Sequence, residues 1–150
     1  MAPTKWGIVS AGRISHDFVA CLRSLPSEEH QIIAVAGRNY DNAKKFAQLH
    51  EIPKVYASYE ELAEDRDVEV AYVGCLNPDH YKTTKLLFDH GKHVLCEKPL
   101  TTSLWHTQDL IRTSKEKKLF LMEVCNLQIL ADKQDALSCR PYGVDAFQHT

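Results

Sequence analysis

"GIVSAGRIS", residues 7–15, runs from an apolar strand through small residues into the start of a helix. That order is the one a phosphate-binding turn needs, because a helix N-terminus presents unpaired amides to an anion. Laying the pattern G-x-G-x-x-G over the turn gives Ser10, Ala11, Gly12, Arg13, Ile14 and Ser15, so only the middle glycine remains. Ser10 and Ser15 are still small enough for a close backbone approach, and their hydroxyls can donate to phosphate oxygens. The candidate contacts are therefore Ser10, Gly12, Arg13 and Ile14. A plain structural turn is the other reading of the same residues.

Outward from this turn, strands and helices alternate. "KWGIVS" reads as the first strand and residues 14–25 as a helix with Phe18, Val19, Leu22 and Leu25 on one face. "QIIAVAG" is the second strand, followed by a helix over 41–50 with Asp41 as N-cap and Ala43, Phe46 and Ala47 inward. "KVYA" is a short third strand. "SYEE" (58–61) is a capping box, with Ser58 on the third amide and Glu61 reaching back. "VEVAYVGC" is a fourth strand, apolar in its middle as a strand covered on both faces would be. Asn77 and Pro78 cap and start a helix to His90 that stops at Gly91. "KHVLC" is the fifth strand, 103–117 a charged amphipathic helix and "LFLMEV" the sixth strand. This alternation predicts an α/β fold, a doubly wound parallel sheet with right-handed crossovers.

Composition bounds the function classes. The chain has 150 residues, the size of one domain, and 44% hydrophobic against 25% charged residues, as in ordinary globular proteins. A net charge of −2 without a basic run argues against nucleic-acid or membrane-surface partners. The start "MAPTKWGIVS" has no signal-peptide stretch, and five scattered cysteines without a C-x-x-C pair suit reduced thiols, so a cytoplasmic protein is expected. His90, His93 and Cys96 recur every third residue, but they read as a helix end and a strand entry, not as a metal site.

The end of the second strand speaks to the ligand. A free ribose 2′-hydroxyl is usually held there by an acid, and a 2′-phosphate by an arginine. The strand ends "AVAGRN": Gly37 stands where the acid would be, and Arg38 and Asn39 follow. Arg38 can offer a bidentate fork to phosphate and Asn39 a further donor. NADP is the expected cofactor, NAD the less favoured one. Arg38 as an ordinary surface residue in a turn is the alternative.

"GIVSAGRIS", "GCLNPDHY" and "GKHVLCEKPL" together, in this order and spacing, resemble the glucose-fructose oxidoreductase and inositol dehydrogenase (Gfo/Idh/MocA) superfamily. Further stretches, "EHQIIAVAGRN", "SYEELAED", "VEVAYVG" and "FLME", are most similar to its animal branch of dimeric dihydrodiol dehydrogenases. The resemblance implies a Rossmann NAD(P)-binding fold over residues 1–124. It also implies an NADP-dependent dehydrogenase acting on a small-molecule diol or sugar such as D-xylose, in a family of homodimers. It makes Glu97-Lys98-Pro99 the family's Glu-Lys-Pro motif, with Lys98 facing nicotinamide and substrate as the catalytic residue. A cis Lys98–Pro99 bond is implied, with Glu97 pairing with Lys98 or a ribose hydroxyl. Asn77 and His80 match the loop that lines the nicotinamide side; a first-turn histidine without a ligand is the other reading of His80.

The resemblance fades near Val124. Family members continue with an Arg-Phe-x-Pro type segment and a second domain, and "CNLQILADKQDALSCRPYGVDAFQHT" carries neither. The expectation is a truncated or alternative product with a divergent tail over 125–150, irregular or weakly helical. With it goes a second functional reading, a catalytically inactive NADP-binding fragment or interaction module, for which dimerisation is doubtful.

Overall fold

The computed structural model describes residues 2–124, so the expected tail over 125–150 lies outside the described residues. Among these, six strands pair in the order β3-β2-β1-β4-β5-β6, every neighbouring pair parallel. The strands are β1 (Thr4–Val9), β2 (His30–Ala36), β3 (Lys54–Tyr56), β4 (Val70–Val73), β5 (His93–Glu97) and β6 (Leu121–Val124). The helices are α1 (Arg13–Arg23), α2 (Tyr40–Leu49), α3 (Tyr59–Glu64), α4 (His80–Asp89) and α5 (Leu104–Lys117). Strand order runs outward from β1 in both directions, so the predicted doubly wound parallel sheet is the fold observed.

The period of two along each strand divides the core between two faces. Val9, Ala34, Ala36, Ala71, Val73, Val94 and Cys96 pack with Leu62, Leu87, Phe88 and Leu110 from α3, α4 and α5. Ile8, Val35 and Tyr72 point the other way, to Phe18, Val19 and Leu22 of α1 and Phe46 and Ala47 of α2. The fully apolar strand middles are thus covered on both sides, as their sequence implied.

Several local expectations are corrected. Asp41 does not cap α2: Asn39 does, its side-chain oxygen accepting from the Asn42 amide at 2.9 Å. Glu61 of the capping box reaches past Ser58 to the Ala57 amide at 2.9 Å, while Ser58 accepts from Glu61 N as expected. Asn77–Asp79 forms a separate 3-10 turn without a side-chain cap, so α4 begins only at His80. α1 ends at Arg23, two residues short of Leu25, because the following proline, Pro26, disfavours the helical conformation before it. The trio His90, His93 and Cys96 disperses. His90 Nδ1 donates to Leu86 O, His93 Nδ1 accepts from the Phe120 amide, and Cys96 is buried in the core.

Candidate functional site: the carboxyl-side rim

Strand register sets the site. Val9 lies level with Ala36 on one side and Val73 on the other, and Val73 with Cys96. The residues that follow, Ser10, Gly37, Gly74 and Glu97, therefore leave four adjacent strands at one height. Neighbouring strands lie about 4.8 Å apart, so this rim is about 14 Å long. Two backbone bonds carry the ladder one residue beyond the strands, Ser10 N to Ala36 O at 2.8 Å and Gly74 N to Val9 O at 3.0 Å.

At the centre of the rim stands the N-terminus of α1. α2, α3 and α5 are capped by the side chains of Asn39, Ser58 and Ser103. α1 starts at Gly12 with no side-chain cap and no acid in its first turn. Its first amides and its partial positive charge thus face the rim, available to an anion. Ser10 takes the first-glycine position with φ 86°, a left-handed conformation unusual for serine, and a hydrogen bond joins its side chain to Tyr59. Arg13 and Ile14 are exposed on the first turn.

Ser15 departs from its expected role as a phosphate donor. It is fully buried, and its hydroxyl has no hydrogen-bond partner. The close helix–strand approach that a third glycine would allow comes from the opposite side. A Cβ on Gly74 would lie 2.6 Å from Ser15 Oγ and 2.8 Å from Tyr72 Cε1. The sequence signal was a lone glycine closing an apolar strand.

Arg38 projects from the β2 exit and pairs with Asp79, Nη1 to Oδ2 at 3.3 Å, across the intervening β1 exit. Gly37 before it is buried, and a side chain there would begin 3.2 Å from Ala43 Cβ. No carboxylate is thus offered by β2 itself. The Asn39 oxygen is committed to capping α2, which leaves its amide protons to donate. Asn77 is exposed at the β4 exit.

At the β5 exit the Lys98–Pro99 bond is cis. Lys98 is exposed, and its own amide donates to Val124 O at 3.1 Å. Glu97 is not the partner of the Lys98 ammonium. It is only 7% exposed, on the α1 face that period two assigns it, and Oε1 accepts from Tyr72 OH at 2.8 Å. Oε2 accepts weakly from the Lys98 amide at 3.3 Å. Burial, then the Glu97 charge, push the Tyr72 hydroxyl far above its usual range, so Tyr72 stays a donor. Its ring stacks on Phe18 with centroids 3.8 Å apart.

His80 likewise departs from the role of a cofactor contact. It is fully buried, with Nδ1 2.8 Å from Pro99 O and Nε2 3.0 Å from Cys75 O. A neutral ring donates to one of these carbonyls and a doubly protonated ring to both. It ties the β4 exit to the Lys98-Pro99 turn. Asp79, Tyr59, Tyr72 and Gly74 complete the rim and were not singled out from sequence.

An uncapped helix start beside an arginine and a lysine, at the point where strand order reverses, fits a nicotinamide dinucleotide. Fold and rim together define a Rossmann dinucleotide-binding unit. The chain belongs to the GFO/IDH/MocA family, whose profile, described as "Oxidoreductase family, NAD-binding Rossmann fold", matches residues 4–124. Among curated relatives, trans-1,2-dihydrobenzene-1,2-diol dehydrogenase of Xenopus tropicalis is 51% identical over 120 residues, 80% of this chain and 36% of that protein. The Homo sapiens enzyme of the same name is 50% identical over 119 residues, again covering 36% of its length. The chain thus spans about a third of the length of the curated relatives it matches. Among solved structures, KijD10, a 3-ketoreductase from Actinomadura kijaniata in complex with NADP and TDP-benzene, superposes with a TM-score of 0.76. It is 30% identical, and the match covers 81% of this chain and 37% of that one.

Proposed function

We propose that this chain provides the NADP-binding rim of a dehydrogenase that oxidises a diol or sugar hydroxyl, in the manner of its dihydrodiol dehydrogenase relatives. Residues 1–124 are taken as the dinucleotide-binding domain. The observation that carries the reading is the order of groups along adjacent strand ends: Arg38 at β2, the bare α1 start at β1, Asn77 at β4 and Lys98 at β5.

Each group has a task that its chemistry suits. Arg38 offers a charged fork to the 2′-phosphate, with the Asn39 amide as a second donor. The amides at Gly12, Arg13 and Ile14 take the pyrophosphate, and the Ser10 hydroxyl adds a donor. Asn77 faces the ribose on the nicotinamide side. The bound cofactor would supply a hydride acceptor at its nicotinamide ring. Lys98 Nζ exchanges a proton with the substrate hydroxyl as the substrate carbon gives up its hydride. Glu97, through the Lys98 amide, and His80, through the Pro99 carbonyl, hold the backbone from which that lysine projects. Fixing the reacting groups in register is a large part of such catalysis.

Calorimetric titration of the 150-residue chain with NADP and NAD tests the cofactor assignment. NADP should bind more tightly, and Arg38→Asp should cost it about 1.5–3 kcal/mol, with NAD little changed. Equal affinity of the wild type for both would overturn the choice. A second reading is NADP binding without turnover. An assay with trans-dihydrodiol or D-xylose separates the two. Turnover abolished by Lys98→Ala supports the enzyme, and binding without turnover supports the module.

A further inference from the structure

We propose that Asp79 is a cofactor-specificity residue: an internal anion that competes with the 2′-phosphate of NADP for Arg38 and so restrains the preference for the phosphorylated dinucleotide. This rests on the reading of Arg38 as the phosphate ligand. Arg38 and Asp79 arrive from the exits of β2 and β4, on either side of β1, and meet at 3.3 Å. Among the described residues theirs is the one ion pair joining two strand exits on this rim. The carboxylate is also the one β2 lacks, since Gly37 occupies the position from which an acid would reach the ribose.

Both side chains face solvent, 65% and 40% exposed. An exposed pair is weak, so an incoming phosphate can take the guanidinium from Asp79. The released carboxylate remains on the same rim, well within the roughly 8–10 Å over which charges act at ordinary salt, and it repels a group carrying nearly two negative charges. NAD meets no such penalty, because its 2′-hydroxyl carries no charge for Asp79 to repel. Asp79 therefore acts against NADP and leaves NAD untouched.

The test is calorimetric titration with NADP and NAD at low salt, using wild type, Asp79→Asn, Arg38→Ala and the double variant. Asparagine keeps the size of the side chain and removes only its charge. Asp79→Asn should tighten NADP by about three- to tenfold and change NAD by less than about twofold. In the Arg38→Ala background the competition for the guanidinium is gone and only the direct repulsion remains, so the same substitution should tighten NADP by less than it does beside Arg38. A wild type that prefers NADP, with Asp79→Asn leaving that preference unchanged or smaller, overturns this inference but not the cofactor assignment. A wild type that binds both equally, with Asp79→Asn creating an NADP preference, overturns the assignment and supports the role of Asp79. If no variant prefers NADP, both fall.

Discussion

Gly74 closes β4 at the spot where α1 comes nearest to the sheet, and its missing side chain is what permits the contact. Gly74→Ala would press a methyl group into Ser15 Oγ and Tyr72 Cε1. A loss of about 1–3 kcal/mol is expected in urea unfolding, and adding Ser15→Ala should return part of it. An unchanged midpoint would mean that the helix does not lie so close. Beside it, the buried Tyr72–Glu97 bond sets a second expectation. Tyr72→Phe removes the donor and leaves a buried carboxylate oxygen without a partner, at a cost of about 1–3 kcal/mol in the same measurement. At this scale the sequence was least informative. Ser15, His80 and Glu97 are polar types in a suggestive order, and only burial separates a side chain that meets a ligand from one that holds the turn. Asp79 gains its meaning from Arg38, 41 positions away in the chain, which no local pattern connects.

Elements were more legible, because periodicity and caps are local properties. Every strand and α-helix read from the pattern is found, with ends shifted by a few residues where capping decided the boundary. Asn39 outcompetes Asp41 since it stands before the first turn of α2, where a side-chain oxygen can meet the Asn42 amide. α5 ends on Lys118 at φ 55°, a left-handed cap of the kind glycine usually fills. Lys118→Gly should therefore stabilise the chain by about 1 kcal/mol, read as a higher unfolding midpoint. The contact between α1 and the end of α2 carries a pH signature. His16 Nδ1 and His50 Nε2 lie 2.7 Å apart, next to Arg23, itself 3.7 Å from Glu51. Burial first, then His16 and Arg23, hold His50 below its ordinary value. Because the native group binds its proton less readily than the unfolded one, this stability is present above about pH 6.5 and lost as pH falls below it. His50→Gln should flatten the decline in unfolding midpoint between pH 7 and 5. An unaltered slope would exclude His50 as its source.

For the molecule as a whole, alternation of strands and helices was enough to give the parallel sheet, and the sheet order then aligns four strand exits that the sequence scatters from residue 10 to residue 98. The Glu-Lys-Pro stretch shows the gain from this alignment. Read alone it is a charged loop; at the β5 exit, level with the α1 N-terminus, it is one end of a continuous rim. The central claim is that this rim holds a single NADP molecule. Amide chemical-shift mapping of the 150-residue chain during titration with NADP tests it most directly. Shifts should concentrate at residues 10–14, 37–39, 77–80 and 97–99 and saturate together with one dissociation constant. Shifts lying instead on the opposite edge of the sheet, or saturating separately at these four segments, would contradict it.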